Sequence, residues 1–311
     1  MSSAPGPPER PGPALDADLV RRLVAAQHPA WAHLEVRPVP VQGNDNRSFR
    51  LGPDLLVRLP SAPGYAPAVA KEQAWLPRLA PLLPVPVPVP VATGVPGEGY
   101  DLPWSVLRWV PGRTVLSRHP ADWRPLALDL AAFVRALQAC PTDGAPAAGA
   151  HSFRRGEHPS VYDDDVRRCL PLLAGAPGID VQALERRWDD ALSTTWQGPP
   201  LWFHGDLAAG NVLLPDEPDG TGDGGENPDR LAGVVDFGTS GVGDPACDVY
   251  PAWTVLDAPA REVFREAVGW DDGTWERGTA WVLWKAAITA VDEPPSRDTA
   301  LQLLRLLQVS P

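Results

Sequence analysis

The residues best suited to chemistry lie in two short stretches. Leu201 to Asn211, LWFHGDLAAGN, runs from apolar residues into His204, Gly205 and Asp206 and then a turn of small residues. Asn211 follows five positions after Asp206, ahead of the apolar run Val212, Leu213, Leu214. Leu231 to Gly238, LAGVVDFG, answers it: Val234 and Val235 end on Asp236, as a buried strand must when it carries a charged side chain at its exit. Two such strands can pair as a hairpin that brings Asn211 and Asp236 together. Oxygen ligands from an Asp and an Asn, with few other protein donors, suit Mg²⁺, which keeps waters and takes further ligands from phosphates. Asp206 is then left to accept a proton. A chance turn followed by an ordinary strand end accounts for either stretch alone; both, in this order and at this spacing, argue for a built site.

Holding two carboxylates and an amide in register needs a sizeable scaffold. A chain of 311 residues, 44% hydrophobic, can bury a large core and fits two lobes or domains. No apolar stretch approaches the roughly 18 residues needed to span a bilayer, and the first residues show neither a basic n-region nor an apolar h-region. No membrane contact is expected, and a cytoplasmic location is. Cys140, Cys169 and Cys247 are odd in number, widely spaced and match no metal pattern, which predicts buried free thiols. A net charge of −12 argues against nucleic acid, because neutralising phosphates needs clustered Lys and Arg that this sequence lacks. A cationic partner fits better, although solubility alone accounts for many acidic surfaces.

Residues Met1 to Pro13 are rich in Pro, Gly and Ser and are expected to be disordered, a tail spanning 1–14. Asp16 is placed to cap a helix whose Leu19, Leu23 and Val24 share one face. Val36–Val41, Ser48–Leu51 and Leu55–Leu59, separated by GNDN and GPD, read as a meander of antiparallel strands. A helix from about Ala66 sets Val69, Glu72, Leu76 and Leu79 on one face, and Pro77 is expected to kink it or end it early. The alternating Pro and Val of Pro84–Val91 predict an extended connector, followed by strands at Val91–Gly94 and Trp104–Val110. Val110, Pro111 and Gly112 suit a hinge. Beyond it, Leu126, Leu130, Phe133, Val134 and Leu137 form one amphipathic helical face, and Val181, Leu184, Trp188 and Leu192 another. Asp163, Asp164 and Asp165 read as a solvated loop or helix start before cation recognition. Pro215–Arg230 is expected to be a mobile excursion and lacks the spacing of an EF-hand. The C-terminal tryptophans Trp253, Trp270, Trp275, Trp281 and Trp284 lie at helical spacing and predict core.

H-G-D-x-x-x-x-N at His204–Asn211, followed by V-D-F-G-x-x-G-x-G-D-P-x-x-D at Val235–Asp248, resembles the aminoglycoside phosphotransferase family, the small-molecule branch of the protein-kinase-like enzymes. Gly205, where protein kinases carry Arg, sharpens the likeness. The resemblance covers roughly Val36 to Tyr250 and is specific at the catalytic loop. It implies an α+β, two-lobed kinase-like fold: an N-terminal nucleotide-binding lobe at 15–108, with a small antiparallel sheet and a helix, and a mainly helical catalytic and acceptor-binding lobe at 109–311. It also implies transfer of the γ-phosphoryl group of ATP, with Mg²⁺, to a hydroxyl of a small, possibly cationic molecule.

The same resemblance assigns roles residue by residue. Asp206 becomes the base, with His204 holding its loop, and Asn211 and Asp236 become the metal ligands. The turn at Gly43–Asn46 would cover the phosphates, Gly43 and Asn46 among the contacts. The adenine ring would sit against the backbone of Leu107–Val110, near Leu107 and Trp109. Where the family offers a strand Lys to the phosphates this chain has Arg58, and its two lysines, Lys71 and Lys285, lie elsewhere. Glu72 needs a counter-charge on its apolar face, and Arg58 is the natural one; a purely structural bridge is the alternative. Asp248 resembles the Asp that braces the catalytic loop. The acceptor reading is first an aminoglycoside-type antibiotic, with resistance by O-phosphorylation; a choline-like, sugar or macrolide acceptor uses the same motifs. A nucleotide-binding pseudokinase should lack one of Asp206, Asn211 or Asp236, and all three are present.

Overall fold

The computed structural model describes residues 14–43, 45–216 and 228–308. The expected N-terminal tail, Asn44 of the first turn and most of the excursion expected at Pro215–Arg230 lie outside the described residues. The chain forms two compact units: one reaches to Leu76 and includes Pro88–Trp109, and the other comprises Pro77–Val87 and the chain from Val110 onward.

In the first unit, α1 (Ala17–Gln27) starts where the Asp16 side chain accepts the Leu19 N–H at 2.9 Å. Its Leu19, Val20, Leu23 and Val24 are buried with Phe49, Leu51, Val57, Leu59 and Val106 in one core. Those partners come from a five-stranded antiparallel sheet of β1 (Val36–Pro38), β2 (Asn46–Leu51), β3 (Leu55–Pro60), β4 (Pro90–Gly94) and β5 (Trp104–Arg108), ordered β1-β2-β3-β5-β4. β1 ends three residues short of the expected Val41 because Pro38 and Pro40 have no N–H to give a ladder. α2 (Ala66–Leu79) runs through Pro77 instead of ending early. In the last turn that proline forgoes only one bond, to the Gln73 carbonyl. The period of two on β3 turns Val57 and Leu59 into the α1 core and Arg58 to the opposite face, where α2 presents Glu72.

The second unit is mainly helical. β6 (Arg113–Thr114) is followed by α3 (Trp123–Gln138), whose predicted face is entirely buried, then α4 (Asp163–Leu172) and α5 (Val181–Leu192). Asp163, Asp164 and Asp165 form the first turn of α4, a helix start as expected. Four short strands follow: β7 (Leu201–Phe203), β8 (Val212–Leu214), β9 (Gly233–Val234) and β10 (Gly241–Gly243), with β8 between β6 and β9, and β10 against β7. The chain closes with α6 (Tyr250–Thr254), α7 (Ala258–Val268), α8 (Asp272–Asp292) and α9 (Arg297–Leu307). α8 is buried on most sides, and Trp275, Trp281 and Trp284 belong to the core as predicted. A Cβ at Gly278 would meet Val249 at 2.3 Å and the Ala246 carbonyl at 2.5 Å, so only glycine lets α8 lie this close to the turn Pro245–Val249. The three cysteines are buried thiols. Among the described residues no helix is long and apolar enough to cross a membrane.

Candidate active site

The loop after β7 is fixed from beneath by one buried carboxylate. Asp248, fully excluded from solvent, accepts the His204 N–H on Oδ2 and the Gly205 N–H on Oδ1, both at 2.8 Å. The Thr239 hydroxyl donates to the His204 carbonyl at 2.8 Å, so the backbone on both sides of the turn is engaged. Gly205 adopts φ +81°, and a Cβ there would press on Thr239 Oγ1 at 3.1 Å and Arg155 Cβ at 3.2 Å. The His204 ring is buried edge-on to Phe237, with centroids 4.6 Å apart. Its Nε2 lies 3.1 Å from the Val235 carbonyl and its Nδ1 3.2 Å from the Asp206 N–H. That pattern puts the proton on Nε2 and leaves Nδ1 to accept. The imidazole thereby ties the Asp206 turn to the chain leading into Asp236.

Asp206 and Asn211 are joined directly. The Asn211 amide nitrogen donates to the Asp206 carbonyl and to its Oδ2, both at 2.9 Å. This orients the carboxylate and leaves the Asn211 amide oxygen with no hydrogen bond among the described residues. The expected hairpin is present: Val212 pairs with Val234, and the Val235 N–H donates to the Asn211 carbonyl at 2.9 Å. Asp236 is the next residue, in the left-handed region at φ +65° and ψ +73°, its Oδ1 turned to the Gly238 N–H at 3.4 Å. An uncommitted amide oxygen beside a partly exposed carboxylate is a hard-oxygen pair that fits Mg²⁺ with water and phosphate completing the shell. It is too few protein ligands for a self-sufficient metal site, and among the described residues no group of three or more His, Cys, Asp or Glu could hold a metal ion.

Burial pushes the Asp248 carboxyl up to about 7, and the Asp206 charge adds to the shift; the two backbone N–H groups pull the other way. Burial likewise raises the Tyr250 hydroxyl to about 12, so this half-buried phenol stays protonated at neutral pH.

In the first unit, Arg58 Nη1 meets Glu72 Oε1 at 2.9 Å, with the two residues 7% and 5% exposed, so the expected pair is formed and desolvated. At the β1–β2 turn, the Gly43 carbonyl accepts from Arg47, and Gln42 closes the turn through bonds to Val39 and Ser48. Asn46 opens β2, opposite Pro60. Leu107 is buried within β5, paired with Leu56 and Pro90. The Trp109 N–H is taken by the Asp54 carbonyl at 2.8 Å, and the Arg50 guanidinium lies 4.0 Å over its indole. Inward of β5, this backbone is committed to the sheet.

Beside Asp206 the second unit has a recess that sequence reasoning missed, lined by Arg155, Gly205, Asp206, Cys247, Tyr250, Trp281, Trp284 and Lys285. The spacing of its tryptophans predicts core, where they also are; nothing in the polar stretch His151–Asp165 singles out Arg155. Asp165 accepts from the Trp284 indole at 3.2 Å and Asp163 from the Trp188 indole at 2.7 Å, so both carboxylates are used within the fold.

The sequence profile of the phosphotransferase enzyme family, APH, matches residues 35–281. A comparison with curated proteins finds no match. Among solved structures, wild-type aminoglycoside 2'-phosphotransferase-IIIa in its GDP complex superposes with TM-score 0.70 at 19% identity, covering 94% of this chain and 98% of that one. The GDP and kanamycin complex of APH(2")-IIia gives 0.71 at 20%, covering 93% and 98%. Macrolide 2'-phosphotransferase MphH from Brachybacterium faecium, as apoenzyme, gives 0.59 at 24%, covering 92% and 97%. At these identities the structures establish a shared kinase-like fold. With the family profile spanning most of the chain, and with the H-G-D and D-F-G segments inside the matched region, the chain belongs to the phosphotransferase enzyme family.

Proposed function

We propose that this protein transfers the γ-phosphoryl group of ATP to a hydroxyl group of a small molecule. The observation that carries the reading is the clamp of Asn211 on Asp206, with Asp236 delivered to the same place by the β8–β9 pairing. A carboxylate oriented by an amide donor is held ready to accept the hydroxyl proton as the acceptor oxygen attacks. Asn211, through its amide oxygen, and Asp236 would hold Mg²⁺, which when bound supplies neutralisation of phosphate charge. His204 and Asp248 fix the loop that carries the base. Arg58, kept rigid by Glu72, would steady the phosphates, the Gly43–Asn46 turn would cover them, and the adenine would lie by Leu107 and Trp109. Beyond the proton taken by Asp206, positioning and electrostatics make up the protein's contribution, since the bond exchange needs no covalent intermediate.

Solved relatives in complex with kanamycin, and others named as macrolide phosphotransferases, make aminoglycoside-type antibiotics and macrolides the first acceptors to test, ahead of choline-like and sugar alcohols. Relatives hold GDP or ADP, so ATP and GTP are tested side by side. The experiment is a panel of hydroxylated small molecules with nucleoside diphosphate release as readout, run with wild type and Asp206→Ala. Acceptor-dependent release that falls on the order of 10²-fold or more in the variant, with nucleotide affinity little changed, is the expected result. Near-normal turnover of Asp206→Ala at saturating acceptor would remove Asp206 from the mechanism.

A further inference from the structure

We infer that the acceptor carries an anionic oxygen group, a carboxylate or phosphate, near the hydroxyl that is phosphorylated, and that Arg155 selects it. This rests on the phosphotransfer reading and names the acceptor class for the same site. The recess beside Asp206 is lined by two cations, Arg155 and Lys285, and two indoles, Trp281 and Trp284, with Asp206 the one carboxylate among its lining residues. Lys285 is already matched at the rim, its Nζ 3.1 Å from Glu293. Arg155 is not: its Nη1 donates to the Phe153 carbonyl at 3.2 Å, and no carboxylate lies within salt-bridge distance of it among the described residues. Its guanidinium lies over the indoles, 5.0 Å from the Trp284 ring centre and 5.8 Å from that of Trp281, cation–π contacts that hold it in place but supply no counter-charge. A planar fork with spare donors matches a carboxylate or phosphate face to face.

The backbone that presents Arg155 is strained. Phe153 and Arg154, neither of them glycine, are consecutive left-handed residues at φ +47° and +62°. They are held there by the Tyr162 hydroxyl, which donates to the Phe153 carbonyl at 3.1 Å, and by the Ser152 hydroxyl, which donates to the Arg155 carbonyl at 2.9 Å. The result sets Arg155 against Gly205, one residue from Asp206, so an oxyanion on the guanidinium would bring a neighbouring hydroxyl of the same molecule to the base. The net charge of −12 had pointed to a cationic partner. Charges farther away than about 8–10 Å are screened at physiological salt, so the lining residues decide. In the reaction the acceptor oxygen forms the new bond to phosphorus, the bond from phosphorus to the ADP oxygen breaks, and the hydroxyl proton passes to Asp206.

Three flat alcohols that differ in charge test this: para-hydroxymethylbenzoate, its neutral amide, and para-hydroxymethylbenzylamine, with kanamycin as a polycation. Binding to the full-length protein is measured by calorimetry, and phosphorylation with MgATP by mass spectrometry. Wild type is expected to bind the benzoate on the order of 10-fold more tightly than the benzylamine. Arg155→Gln should lose that order, and Arg155→Lys should keep part of it; melting curves verify that both variants fold. Tighter binding of the amine or kanamycin, an order unchanged in Arg155→Gln, or no binding of any probe would overturn the inference. Charge-ordered binding without phosphoryl transfer would uphold it while sinking the reaction proposed above. Transfer to kanamycin alone would do the reverse.

Discussion

Replacing Asp248 by Asn separates what this carboxylate does for the fold from what it does for the site. Its folded pKa stands at about 7 and its ordinary value at 3.8, a gap of about 3 pH units. Between those values the folded protein holds a proton that the unfolded chain has released, so each unit of pH rise through the window lowers stability, and above pH 7 the loss is complete. At about 1.4 kcal/mol per unit, the wild type gives up on the order of 4 kcal/mol at this one position between pH 4 and pH 7. Asp248→Asn has no titration there. Urea unfolding of both proteins across pH 4 to 8 should therefore show the stability of wild type relative to the variant falling as pH rises, then levelling off near pH 7. Activity should fall in the variant most clearly above pH 7, where the ionised carboxylate offers two acceptor oxygens to the His204 and Gly205 N–H groups and the amide offers one. A stability difference flat from pH 4 to 8 would show that Asp248 is charged over the whole range, and the account of its burial would fail.

Arg58→Ala removes a salt-bridge partner from a carboxylate that is 5% exposed and should cost roughly 3–5 kcal/mol. Adding Glu72→Gln should restore part of that stability without restoring nucleotide affinity; strictly additive melting shifts would deny the coupling. Asp236→Ala should abolish the Mg²⁺ dependence of nucleotide binding, measured by calorimetry with and without Mg²⁺, whereas equal dependence in both proteins would take Asp236 out of the metal site. Gly205→Ala forces a side chain into φ +81° against Thr239 and Arg155, and about 1–2 kcal/mol of destabilisation with a fall in kcat is expected. A variant as stable and active as wild type would show that the turn can relax.

The site was legible where its parts lie close in the chain or obey a simple period. Asp206 and Asn211 share one turn of small residues, and a strand ending in a charge announced Asp236. The family resemblance marked Arg58 as the strand cation, and the helical period set Glu72 on an apolar face, where a buried Glu needs a cation. What sequence could not show were partners fixed by tertiary packing alone. Arg155 reaches Trp284 across 129 positions, and Arg277 meets Asp244 at 2.6 Å from 33 residues away, with no pattern to signal either. Trp281 and Trp284 were read as core, and they are 3% and 6% exposed, yet so large a ring can be buried and still show an edge to a recess. β1 fell short of its apolar run because the run counts side chains, while the ladder needs the N–H groups that Pro38 and Pro40 lack.

Rigidity in the site is passed inward to outward along one chain of contacts. α8 is the most enclosed helix of the second unit, and from it Arg277 grips Asp244 with both residues buried, while Gly278 brings the helix onto the turn Pro245–Val249. That turn carries Asp248, which has no freedom left when it takes the two N–H groups of His204 and Gly205. His204 in turn links to Val235, and Asn211 to Asp206, so side chains from the β7 loop, the turn Pro245–Val249 and α8 share one reference frame anchored on α8. The costs sit at the outer end of this chain: a left-handed Asp236 and a carboxylate buried at the expense of stability. A loop free to relax would shed those costs by moving, and would lose the mutual alignment of Asp206, Asn211 and Asp236 in doing so. Strain can persist at such a site only because the core behind it does not yield.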